Sequence, residues 1–130
     1  MIIRRDQMRT FEEYMRRSFE DRMVAHMAEN YPAAYGRYVR EGDGDSGARA
    51  LVRQAVERAG LIGAKKEGSI QRYLEIMLET SPDFEKDESM DWARKILADT
   101  TLSGETRITL AHRKLSRLRP GAPRSGSGKE

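Results

Sequence analysis

Residues 6–30 read DQMRTFEEYMRRSFEDRMVAHMAEN, and the placing of their apolar side chains decides the fold. Met8, Phe11, Met15, Phe19, Met23 and Met27 recur at intervals of three and four, with Val24 widening the stripe. That is the repeat of one face of an α-helix, so a long first helix is expected over this stretch. Asp6 is placed to cap it, since its carboxylate can accept from the unpaired amides of a first turn. Glu12–Arg16, Glu13–Arg17 and Arg17–Asp21 stand four apart as outward charge pairs. Tyr31-Pro32 ends the run, because the residue before a proline is pushed out of the helical region.

The same repeat recurs downstream. Pro32 to Val39 reads as a short second helix with proline in its first turn. Residues 41–47, EGDGDSG, form a loop with Asp45 or Ser46 as the next cap. Ala48, Leu51, Val52, Ala55, Val56 and Ala59 line a third helix that Gly60 should stop, with Leu61-Ile62 turned inward. Ser69 is the expected cap of a helix carrying Ile70, Tyr73, Leu74, Met77 and Leu78, closed by Ser81-Pro82. Phe84 is the one large apolar anchor of an acidic loop. Trp92, Ala93, Ile96 and Leu97 mark a short helix. Ser103 caps the last one, lined by Ile108, Ala111, Leu115 and Leu118. No stretch alternates apolar and polar residues over strand lengths. The expectation is an all-α, compact bundle of five or six helices: one domain over residues 1–119, then a disordered basic tail over 120–130.

Size and composition narrow the function. The 130 residues amount to one domain. There is no cysteine, which excludes disulfides, thiol catalysis and thiolate metal sites. No apolar run approaches a membrane span, and Arg4-Arg5 is followed by Asp6-Gln7 rather than by a signal-peptide core. The expected location is the cytoplasm. The net charge of +3 hides a split: seven basic residues face one acid between Thr106 and Glu130, while the rest of the chain is mildly acidic.

Candidate chemistry is sparse. His26 lies beside the apolar stripe and reads as a structural or surface histidine. His112 lies among basic residues and reads as solvated. Neither stands in a nucleophile or zinc motif. Asp83, Glu85 and Asp87 occupy the first, third and fifth places of a calcium loop, but Glu88 stands where glycine is needed and Arg94 where a bidentate glutamate is needed. The acids of residues 75–91 therefore read as a solvated segment, and no metal or cofactor is expected. Tyr31, Tyr35 and Tyr38, with Arg37 and Arg40, fit a core edge, an interface patch or a base-stacking surface. Arg113, Lys114 and Arg117 carry the basic end, which could meet nucleic acid, anionic lipid or an acidic protein.

Several blocks resemble a group of short bacterial proteins whose genes sit beside type VI secretion or related contractile-injection components and their effectors. The blocks are Ile2-Ile3-Arg4 with Gln7-Met8 and Phe11, Phe19–Val24 with His26, Tyr73-Leu74 with Met77, Pro82-Asp83-Phe84, and Trp92-Ala93 with Ile96-Leu97. The resemblance spans most of residues 1–118 and implies a shared helical fold. It carries over no catalytic residue. The loop at Gly42–Gly47 and the basic tail look like additions.

The expected function is a non-enzymatic protein–protein interaction module, an adaptor or accessory of a secretion effector or spike. Its contacts are expected on Tyr31, Tyr35, Arg37, Tyr38, Arg40, Arg113, Lys114 and Arg117. The alternative is a nucleic-acid-binding regulator using the basic C-terminal helix and tail. A small enzyme built on dispersed carboxylates has the least behind it.

Overall fold

The computed structural model describes residues 5–39 and 44–118, with side chains from residue 12 onward. Among the described residues the chain is all-α: six α-helices and no β-strand. They are α1 (Arg5–Asn30), α2 (Pro32–Tyr38), α3 (Ser46–Leu61), α4 (Glu67–Glu79), α5 (Asp91–Leu97) and α6 (Gly104–Leu118). Two single-turn 3₁₀ helices, Phe84–Lys86 and Glu88–Met90, lead into α5. The tail expected over 120–130, and most of the loop before α3, lie outside the described residues.

The core is organised around α4. Ser69, Ile70 and the unbroken run from Tyr73 to Leu78 are buried, so this helix is enclosed on nearly every side. It packs between α3 and α6, while α1 and α2 cover α3, and α5 lies on α6. Small residues on α3 (Ala48, Ala55, Ala59) permit the close approach to α4 that the sequence implies. Phe84 is fully buried with its ring 5.3 Å from that of Tyr73, which closes the end of the bundle beneath the acidic loop.

The apolar stripe of α1 does not run straight. From Phe11 to Met27 every step is four residues, and four residues advance about 40° beyond a full turn. The stripe therefore slews around the helix by about 160° over those four steps. Phe19, Met23 and Met27 reach the core, together with Val24. Met15 does not: every described residue from Glu12 to Arg17 is exposed.

Several caps differ from expectation. Arg5 is already helical, so Asp6 lies inside α1 rather than at its cap. Asp45 precedes α3 without capping it, because its carboxylate accepts from Arg49 Nε instead (3.1 Å). Gly60 lies within α3, and the left-handed residue is Gly63, at φ +86°. There the amide of Ala64 donates to the Ala59 carbonyl (2.9 Å) and that of Gly63 to Gly60 (3.0 Å), a Schellman ending. This turn leaves Leu61 pointing outward, 81% exposed, while Ile62 alone packs inward. Ser69 is a buried residue of α4 rather than its cap. The start of α4 is capped across the bundle by Glu105 of α6, whose Oε2 accepts from the Lys66 amide (3.2 Å). Ser103 caps α6 as expected, accepting from the Thr106 amide (3.1 Å).

That cross-bundle cap requires α6 to begin against the α3–α4 turn. A Cβ on Gly104 would collide with the Ile62 carbonyl oxygen and lie 2.9 Å from the Ala64 nitrogen, both rigid backbone. Gly104→Ala is therefore expected to destabilise the fold by about 1–3 kcal/mol, read as a lower urea midpoint. An unchanged midpoint would show that the two segments do not need this contact.

Candidate functional site

The ionisable groups that come together do so around Glu75. This residue lies in the middle of α4, between Leu74 and Ile76, and its side chain is buried. His26 of α1 approaches one oxygen, Nε2 to Oε2 at 2.7 Å. His112 of α6 approaches the other, Nε2 to Oε1 at 2.6 Å. The Asn30 amide nitrogen donates to the His26 carbonyl (3.0 Å) and also lies 3.0 Å from His26 Nδ1. An amide nitrogen has no lone pair to offer, so Nδ1 is the acceptor and Nε2 carries the hydrogen that faces Glu75. Gln71 adds a long contact to Oε2 (3.4 Å).

Burial alone would push the Glu75 carboxyl up. The imidazole N–H donors, His112 first and then His26, outweigh that and hold it below the usual carboxylate range. Glu75 is thus a buried anion with both oxygens occupied, joining three helices. The two imidazoles point at different oxygens rather than at a shared point. Among the described residues no group of three His, Cys, Asp or Glu side chains could hold a metal ion. The arrangement can clamp helices together, and it leaves no carboxylate oxygen facing a substrate.

His112 is therefore not a solvated residue of the basic end, as the sequence implied, but a half-buried partner of Glu75. His26 is structural, as expected. The acidic segment is solvated at Asp83, Asp87 and Glu88, as expected, but several of its side chains are also tied down. Arg58 pairs with Asp83 (2.8 Å) and donates to the Pro82 carbonyl. The Tyr73 hydroxyl donates to Glu85, and Asp87 accepts from the Ser89 amide (2.9 Å). Asp83, Glu85 and Asp87 thus face three different partners and do not form a calcium cradle.

A second ionic seam joins α1 to α3. Buried Glu20 accepts from Arg53 Nε (2.9 Å), and Arg49 reaches Asp21 at 2.7 Å.

The expected contact residues divide. Tyr31 is a correction: it is buried, 7% exposed, and its hydroxyl donates to Glu79 (2.9 Å), so it is part of the core rather than a partner surface. Tyr35 and Tyr38 are half-buried against the core, and Arg37 is exposed beside them on α2. Arg40 lies outside the described residues. Arg113, Lys114 and Arg117 are exposed on α6, with Lys114 Nζ 5.1 Å above the Trp92 ring. Arg107 is not available to a ligand in the same way, since its guanidinium donates to the carbonyls of Leu102 (2.9 Å) and Leu97 (3.3 Å).

No family model, curated protein or solved structure matches the chain. Among the described residues no helix is long and apolar enough to cross a membrane.

Glu75 was missed in the sequence, although it left a signal. It is the one acid inside the run Leu74-Glu75-Ile76-Met77-Leu78, where no helix face is polar. Glu75→Gln keeps the shape but sets an amide N–H against an imidazole donor. A loss of about 1–3 kcal/mol is expected. Because the folded carboxyl is held low, its contribution is complete above the unfolded value of about 4.3 and fades as pH falls through the lower folded value. Urea unfolding at neutral and acidic pH should therefore show the difference between wild type and Glu75→Gln shrinking below about pH 4. A constant difference would contradict the ionised assignment.

Proposed function

We propose that the chain is a non-enzymatic helical module that binds another protein. One observation carries this reading: the described side chains of α1 from Glu12 to Arg17 are all exposed, with Tyr14 and Met15 among them. Tyr14 is 67% exposed and Met15 is 42% exposed. Met15 lies about 40° around the helix from Phe19, and about 80° and 120° from Met23 and Met27. Among the described residues no helix of this chain buries Tyr14 or Met15. Isolated helical turns are marginal in water, and an amphipathic helix gains most of its stability from the surface it packs on. A helix in a partner's groove is a common way to supply that surface.

The finer reading rests on the sequence resemblance: an adaptor or accessory protein for an effector or spike of a contractile injection system. The surface formed by Tyr35, Arg37 and Tyr38 is a second place for partner contact. The nucleic-acid alternative is supported by the exposed trio Arg113, Lys114 and Arg117. It is weakened by the use of Arg107 as a clamp on two carbonyls and by Lys114 lying over Trp92.

The double variant Tyr14→Glu, Met15→Glu alters exposed positions only, so the unfolding midpoint should stay within about 0.5 kcal/mol of wild type. Co-purification of a partner from the native host should be lost in the same variant. A wild-type chain that emerges alone and monomeric, or a variant that retains its partner, would overturn the reading.

A further inference from the structure

A second feature concerns the opposite end of the bundle, where the end of α4, the Glu88–Met90 turn, α5 and the end of α6 enclose a cleft of about 400 Å³. Its floor is apolar. Met90 and Leu115 are buried core residues whose edges reach it, and Trp92 is half-buried in its wall. At its mouth stands Leu118, which the helix repeat assigns to the inner face of α6 but which is 57% exposed. The cleft has an anionic side, formed by Glu79 and Asp87. The Asp87 carboxylate is held below its usual range by the amide and hydroxyl of Ser89. On another side, Lys114 lies over the Trp92 ring.

Resting on the reading of the chain as a protein-binding module, we propose that this cleft docks a short cationic segment of a partner, an apolar side chain next to a lysine or arginine. The volume suits one or two large side chains and not a helix laid lengthwise. Leu118, Trp92 and Met90 offer the apolar contact. Exposed Asp87 lies beside it with charge of the sign that attracts a base and repels an acid, while Glu79 is held by the Tyr31 hydroxyl. Lys114, over the Trp92 ring, opposes the ligand rather than recruiting it.

The chain contains one tryptophan, so Trp92 emission reports on this cleft without a label. The full-length protein is titrated with a capped hexapeptide of alternating lysine and leucine, with its glutamate–leucine counterpart as control. The lysine peptide should give a saturable change in emission, weakened by salt, and the glutamate peptide none. Asp87→Asn, which keeps an acceptor for Ser89, should weaken binding about three- to fivefold, as loss of one exposed charge contact does. Leu118→Ser should weaken it at least as much, and Lys114→Ala should leave it equal or tighter. Circular dichroism melts confirm that each variant is folded.

No saturable change at millimolar peptide would overturn the proposal, as would equal binding of both peptides or insensitivity to Asp87→Asn and Leu118→Ser. Preference for the acidic peptide would reassign the surface to Lys114 and its neighbours. Emission that shifts with protein concentration alone would assign the cleft to a second copy. Failure here leaves the α1 surface standing, since Tyr14 and Met15 do not line the cleft. Loss of partner capture at α1 likewise leaves the peptide titration unchanged.

Discussion

A carboxylate buried between two imidazoles holds this bundle in register. Glu75 belongs to the helix at the centre of the core, and its two oxygens receive one hydrogen bond from α1 and one from α6. A buried charge is costly unless every lone-pair direction that matters is used. Here the donors come from α1 and α6, so the anion is satisfied only when both stand in place beside α4. Hydrophobic contact supplies most of the folding energy but tolerates rotation and sliding. The charged centre does not. Asn30 extends its demand by fixing which nitrogen of His26 bears the hydrogen.

Around that centre the other polar contacts act between elements rather than within them. Glu105 of α6 caps α4, Arg107 closes the end of α5, and Glu20 gathers α3 onto α1. The two histidines and the buried acids, the groups from which a reactive site might have been built, are thereby engaged as joints. Among the described residues the surface features without such a joint are Tyr14 and Met15 of α1, the Tyr35–Tyr38 edge, the basic face of α6 and the cleft beside Trp92.

The helices were legible in the sequence because each has a stripe long enough to set its period, and proline at Pro32 and Pro82 marks two of the breaks. What the stripe could not give was direction. Successive steps of four look like one face when read as letters, yet Met15, one step before buried Phe19, is exposed. Caps were misread for a related reason. Ser69 has the right side chain for a cap, but α4 begins two residues earlier, at Glu67, and Glu105, distant in sequence and close in space, bonds the Lys66 amide. The positive-φ stop fell on Gly63 rather than Gly60, which turned Leu61 outward.

The central cluster was the least legible part. Its members are dispersed at positions 26, 75 and 112, and no local motif links them. Only the acid inside an apolar run pointed to it, and its partners are settled by helix packing. The most direct test is nitrogen NMR of the two imidazole rings at neutral pH. The structure predicts that His26 and His112 each carry a slowly exchanging hydrogen on Nε2, and that the His26 signal changes in Asn30→Ala. Rapidly exchanging ring hydrogens, or a hydrogen on Nδ1 of His26, would contradict it.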